Sequence, residues 1–308
     1  MKKPNFFIAG QPRSGTTALF RFLNQHPEIY MCESKEPYYF CTDFHEESDQ
    51  YHKKKLRFPI RTEKQYLQLF KDAVNEKIIG EATPDYLFSK NAAKNICAFN
   101  REAKILISIR NPVDLLYSLH SQMLFYGGED VEDFKKALEM EPARKECRNL
   151  PRGLLWPSSL YYSERIQFCR QIKIFLDCFS GNRVKIIIFD DFIQDNLKIC
   201  RQILEFLDVD TGFIPDLKVY NPQKVVRFKL VNFLFAAIGD LPLKNLMPYK
   251  VRGAITRKIR KLNIKDQKSK PLDPVFRRML MEKIRPEVEE LSRLTNRDLM
   301  TLWGFDKI

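Results

Sequence analysis

Phe6-Phe7-Ile8-Ala9-Gly10-Gln11-Pro12-Arg13-Ser14-Gly15-Thr16-Thr17 is the stretch on which the fold turns. Asn5 to Ala9 is a short apolar run, as expected of a strand covered on both faces. Gly10 closes it, and a helical pattern from about Thr16 to Asn24 opens directly after Gly15. A strand that passes through such a loop into a helix start aims backbone N–H groups, and the free amides of the first helical turn, at one point in space. That is an anion cradle. Two glycines permit the tight backbone turns, Arg13 adds a cation, and the hydroxyls of Thr16 and Thr17 can donate to the same oxygens. Gly10, Gln11, Pro12, Arg13, Ser14, Gly15, Thr16 and Thr17 are therefore candidate phosphate-binding residues. The competing explanation is a glycine turn capped by Ser and Thr.

The glycine spacing is that of the ATP-binding phosphate loop, G-x-x-x-x-G-K-[ST], except that Thr16 stands where that motif has its Lys. An ATP-splitting enzyme without that Lys lacks its main contact to the outer phosphates. Three further strand-like runs follow, each leading into a helical pattern. Lys77 to Gly80 precedes a helix beginning near Ser89. Lys104 to Ile109 precedes Asn111-Pro112 and a stretch reaching about Phe125. Arg183 to Phe189 precedes Asn196 to Leu207. Helices are also expected over Glu132 to Glu139, over Tyr161 to Phe179, and at the end from Phe276 to Thr295. Strands alternating with helices predict an α/β protein, with a central, mostly parallel sheet flanked by helices in a P-loop-like three-layer fold. Without repeats or linkers, residues 1–308 read as one domain, with a nucleotide-binding core over 1–220 and a mainly helical, basic part over 221–308.

The strand ending at Ile109 leads into Arg110-Asn111-Pro112-Val113-Asp114. Ligands of parallel sheets bind at the carboxyl ends of the strands. A metal-dependent nucleotide enzyme often has an Asp there, whereas Arg110 is a permanent cation suited to paired hydrogen bonds with phosphate. Ser118, further along the following helix, could add a hydroxyl. Two anion sites on one sheet suggest a nucleotide phosphorylated at two places.

Composition narrows the rest. With 308 residues, 44% hydrophobic and 30% charged, the chain is an ordinary globular one. A net charge of +13 calls for an anionic partner. Between Lys224 and Lys270 there are thirteen Lys or Arg against two Asp. The seven cysteines are odd in number and form no CxxC pair, so neither a disulfide framework nor a metal cluster is expected. No signal peptide and no run of the ~20 apolar residues a membrane span needs is visible, and the expected location is cytoplasmic.

Taken together, the Gly10 to Thr17 loop and Arg110-Asn-Pro-Val-Asp-Leu-Leu-Tyr-Ser118 resemble the sulfotransferases that use 3′-phosphoadenosine 5′-phosphosulfate (PAPS). The likeness is strongest to the heparan sulfate sulfotransferases and their bacterial relatives. The resemblance implies that the loop binds the 5′-phosphosulfate, that Arg110 and Ser118 bind the 3′-phosphate, and that 3′,5′-ADP is the product. It implies a carbohydrate or small-molecule acceptor, no required metal, and no nucleic acid beyond the nucleotide donor. Lys35-Glu36-Pro37-Tyr38-Tyr39-Phe40 is similar to the family segment that carries the catalytic carboxylate. Glu36 is therefore the candidate general base, with Glu33 and His120 as alternatives, and Arg13 would assist the leaving group. Gly80-Glu81-Ala82-Thr83-Pro84-Asp85-Tyr86 resembles an acceptor-side segment, although Ala82 stands where some sugar sulfotransferases have Lys. Arg227 falls where relatives often have a phosphate-contacting Arg. The alternatives are a P-loop kinase or ATPase, which could use Asp190-Asp191 for magnesium, and a basic protein binding nucleic acid or a membrane surface.

Overall fold

Every residue of β1 (Phe6–Gly10) is buried. The reason is its place at the centre of a five-stranded parallel sheet ordered β2-β3-β1-β4-β5. The computed structural model describes residues 2–53, 58–216 and 271–308, with the backbone of two further strands, β6 (Lys224–Val226) and β7 (Ile264–Asp266). After β1 the chain runs through α1 (Thr16–Leu23), β2 (Ile29–Met31), α2 (Thr42–His52), α3 (Glu63–Leu67), β3 (Ile78–Ala82) and α4 (Ala92–Phe99). It continues through β4 (Lys104–Ile109), α5 (Pro112–Tyr126), α6 (Phe134–Glu139), α7 (Glu141–Lys145), α8 (Tyr162–Arg165) and α9 (Phe168–Cys178). Then come β5 (Val184–Ile188), α10 (Phe189–Gln194), α11 (Asn196–Leu207), and, after β6 and β7, α12 (Pro274–Thr295) and α13 (Leu299–Leu302).

The chain divides into two compact units. The first comprises Met1–Leu116, Tyr162–Tyr220 and Pro274–Ile308 and contains the sheet. The second comprises Tyr117–Tyr161 and Asn221–Asp273. In the first unit the alternation of β1 separates two cores. Phe6 and Ile8 join Leu106, Leu19, Phe22, Ile203 and Leu207 on the side covered by α1 and α11. Phe7 points the other way and meets the Phe40 ring edge-on at 5.7 Å. Each fully buried Phe or Ile of this kind contributes about 1.5–3 kcal/mol of transfer free energy.

The strand order positions the site. From β1 the chain turns toward β2 and β3, whereas from β4 it turns toward β5. The carboxyl ends of β1 and β4 therefore flank the switch point, where a ligand crevice forms in open parallel sheets. Gly10 sits in register with Ser108 across that pair.

Several expectations change in detail. Strand β2 was not expected, because the three residues Ile29 to Met31 are too few to show a period. The polar helix α2 was missed for a similar reason: Phe44, His45 and Ser48 are its only buried residues, too few for an apolar stripe. The helix expected over Tyr161 to Phe179 is two helices, α8 and α9. Helix α12 runs past Pro286, which removes one ladder hydrogen bond without ending the helix. The helical part expected toward the C-terminus is present as α12 and α13, and β6 and β7 add a short antiparallel pair to it.

Candidate active site

The phosphate loop is built by close contact between β1 and β4. Gly10 has φ +142°, and a Cβ there would come 2.4 Å from the Ser108 carbonyl oxygen. Gln11 N–H donates to that carbonyl at 3.3 Å, and Ser108 Oγ donates to the Ser14 carbonyl at 2.5 Å. Arg13 adopts φ +70° and Gly15 φ +79°. A Cβ on Gly15 would lie 2.7 Å from the Phe189 ring. Gly15 is also the N-cap of α1 and supplies no side-chain cap. The first turn of α1 is thus left to an incoming acceptor. Thr16 is buried there and Thr17 half-buried, while Pro12 is half-buried in the loop. Gln11 is braced from behind by Gln171, at 2.8 Å.

Arg110 follows β4. Asn111 caps α5 by accepting from Val113 N–H at 3.0 Å, and Pro112 occupies the first helical position. This geometry directs Arg110 back to the loop: its guanidinium donates to the Arg13 carbonyl at 3.2 Å and lies 5.2 Å above the Phe189 ring. Burial lowers its pKa, against the opposing pull of Asp114 and Asp190. It stays a cation all the same, because guanidinium is not deprotonated in proteins. Both carboxylates are engaged elsewhere. Asp114 accepts from Arg277 at 2.7 Å, and Asp190 from Trp303 Nε1 at 3.0 Å. Asp191 pairs with Arg297 at 2.8 Å.

The segment carrying Glu36 reaches the same edge of the sheet. Glu36 N–H donates to the Ala82 carbonyl at the end of β3, at 3.0 Å. Glu36 and Tyr38 hold φ of +61° and +56°, strained values for such side chains that flank Pro37. An aromatic cluster holds the turn in place: Phe40 packs on Phe7, Tyr66, Tyr86 and Phe99, and Tyr39 stacks on Tyr66 at 4.4 Å. Glu36 Oε1 pairs with Lys35 Nζ at 2.8 Å, and the same ammonium donates to Thr17 Oγ1 at 2.8 Å. Tyr38 donates to Asp85 at 2.9 Å, with Glu36 Oε2 at 3.4 Å from its hydroxyl. Burial, reinforced by Asp85 and Glu36, holds the Tyr38 phenol well above its ordinary pKa. Asp85 in turn is ion-paired with Arg165 in a buried contact. Beneath these groups, Glu81 is fully buried and accepts from the hydroxyls of Tyr66, Tyr86 and Thr83. Burial pushes its carboxyl up to about 7, against the lowering effect of those three donors.

Loop, Arg110 and Glu36 thus converge within the first unit. Glu33 is exposed. His120 and Ser118 lie in the second unit, on α5. His120 is buried, its Nε2 is 2.8 Å from the Val131 carbonyl, and burial lowers its pKa. Ser118 is buried as well. Arg227 and most of the basic stretch lie outside the described residues. Lys35, Tyr38, Asp85 and Arg165 were not singled out from the sequence. Their partners lie up to 80 positions away and on separate elements, so only the folded chain brings them together.

Residues 4–212 match the profile of the sulfotransferase family. The chain belongs to the sulfotransferase family. It is therefore of an enzyme class, and neither the kinase nor the basic-binder alternative is favoured. A solved sulfotransferase from Alicyclobacillus acidocaldarius matches 98% of this chain and 99% of its own, with a TM-score of 0.71 and 26% identity. The membrane-associated sulfotransferase kil1 of Dictyostelium discoideum is 33% identical over 111 residues, 36% of this chain and 21% of that protein. Heparan sulfate glucosamine 3-O-sulfotransferase 6 of Homo sapiens is 29% identical over 121 residues, 39% of this chain and 31% of that protein. The matched part of this sulfotransferase chain therefore spans less than a third of either curated relative. No helix among its described residues is long and apolar enough to cross a membrane.

Proposed function

We propose that this sulfotransferase moves a sulfuryl group from PAPS to a hydroxyl or amine of a carbohydrate or small-molecule acceptor and releases 3′,5′-ADP. The observation that carries the reading is Arg110. It is a desolvated cation at the switch point, hydrogen-bonded to the Arg13 carbonyl of the loop that leads into the uncapped start of α1. Two anion sites that close together suit a nucleotide with phosphates at both 5′ and 3′ positions. In this reading the loop N–H groups, Arg13, Thr16 and Thr17 hold the 5′-phosphosulfate, and Arg110 with Ser118 holds the 3′-phosphate. Arg227 would add to the nucleotide site.

Catalysis then rests on alignment and on neutralising charge that grows on the leaving phosphate. Glu36 takes the acceptor proton. It is favoured over Glu33 and His120 because its carboxylate is linked through Lys35 to a loop hydroxyl, while the His120 imidazole is occupied with a backbone carbonyl. No step assigned to these residues calls on a metal. The near full-length likeness to the Alicyclobacillus enzyme supports one sulfotransferase domain over 1–308. Seven free thiols support a cytoplasmic setting.

The test is titration of the wild type and Arg110→Ala with 3′,5′-ADP and with 5′-AMP. Losing a charge-assisted contact should weaken 3′,5′-ADP by about 10–100-fold and leave 5′-AMP nearly unchanged. Equal weakening of both nucleotides would remove Arg110 from the 3′-phosphate.

A further inference from the structure

Lys35 belongs to both halves of the site. Its Nζ is 2.8 Å from Thr17 Oγ1 on the loop and 2.8 Å from Glu36 Oε1. An ammonium has three donors and no acceptor, so Thr17 must accept from it, which leaves the Thr17 hydroxyl proton free to point at a phosphate oxygen. The Lys35 side chain is only 21% exposed, so its head is held at this place rather than sampling solvent. An anion drawn into the loop therefore meets an ammonium one hydrogen bond away. The carboxylate that engages this ammonium is also the one that must be free to accept a proton.

On the strength of the donor reading above, we propose that Lys35 is a further catalytic residue. When PAPS binds, its ammonium passes from Glu36 Oε1 to the phosphosulfate. There it offsets the charge that builds on the oxygen joining phosphorus to sulfur, and it releases Glu36 to act as base. In the transfer, the acceptor oxygen or nitrogen forms its bond to sulfur. The bond from sulfur to the 5′-phosphate oxygen breaks, and its electron pair stays with 3′,5′-ADP. The acceptor proton goes to Glu36, and Lys35 keeps its own. The base is thus engaged until the donor is in place, so donor binding precedes activation of the acceptor.

The experiment compares wild type, Lys35→Arg, and Lys35→Met with and without Thr17→Val by calorimetric titration with PAPS and with 3′,5′-ADP, which keeps the former bridging oxygen on its 5′-phosphate. Lys35→Met keeps the apolar stem, so a native melting curve in the absence of nucleotide is expected. The proposal predicts that Lys35→Met weakens both PAPS and 3′,5′-ADP about tenfold or more, with or without Thr17→Val, and that Lys35→Arg partly recovers the loss. No further weakening by Lys35→Met in the Thr17→Val background would mean that Lys35 acts only by positioning Thr17, and unchanged affinity for both nucleotides would mean that it never touches the donor. Either result overturns the proposal while the donor reading stands. A wild type that binds neither nucleotide would instead overturn the donor reading, and this one with it.

Discussion

At Gly10 the backbone passes so close to β4 that a single methyl group would meet the Ser108 carbonyl oxygen at 2.4 Å, in a conformation that L side chains rarely adopt. Gly10→Ala should therefore cost a few kcal/mol and lower the melting temperature by about 5 °C or more, since each kcal/mol shifts a protein of this size by roughly 2–4 °C. Melting curves check this, and an unchanged midpoint would mean that β1 and β4 are not so closely joined. Glu36 makes a different prediction. Removing a general base typically costs ~10²–10⁴ in rate, so Glu36→Gln should lose turnover in that range while still binding 3′,5′-ADP. Measured transfer from PAPS at the wild-type rate would disqualify Glu36. The loop glycines and Arg110 were readable from the sequence because the signal is local: a strand, a turn chemistry and a helix start within a dozen residues. Lys35 and Tyr38 were not, because what distinguishes them is a partner distant in sequence, Thr17 on α1 for Lys35 and Asp85 after β3 for Tyr38.

Among the elements, β3 carries a charge problem that the sequence does not display. Glu81 points into a core of Tyr66, Tyr86 and Thr83 hydroxyls, and its carboxyl is raised from 4.5 to about 7. A folded-state value above the unfolded one means that the native state holds the proton more tightly. Its contribution is full below about pH 4.5 and is lost as pH rises through about 7, amounting to about 3 kcal/mol at ~1.4 kcal/mol per unit. Urea midpoints at pH 5 and pH 8 should therefore fall more steeply for wild type than for Glu81→Gln. Parallel behaviour of the two would show that Glu81 titrates normally. From the residues alone, Gly80-Glu81 read as a strand end leading to an acceptor-side segment. That Glu81 lies fully inside follows from the parallel pairing of β3 with β1, a contact between residues over 70 positions apart. Elements with their own period, such as α11, were legible to the residue. The three-residue β2 and the polar α2 depend on neighbours for their stability and left little trace.

For the molecule as a whole, the central claim is that strand order places a doubly phosphorylated nucleotide across the ends of β1 and β4. The alternation of strands and helices made the parallel sheet legible. The switch point itself was not, since order within a sheet is a matter of which strands pair and not of any one strand. Thermal stabilisation by 3′,5′-ADP, 5′-AMP and Mg-ATP, each with and without EDTA, tests this claim most directly. A ligand that binds only the folded state adds about 2.7 kcal/mol at 100 times its Kd, enough to read as a melting shift. The account predicts a large shift with 3′,5′-ADP that EDTA does not change, a smaller one with 5′-AMP, and little with Mg-ATP. No shift with 3′,5′-ADP, together with an EDTA-sensitive shift with Mg-ATP, would contradict it.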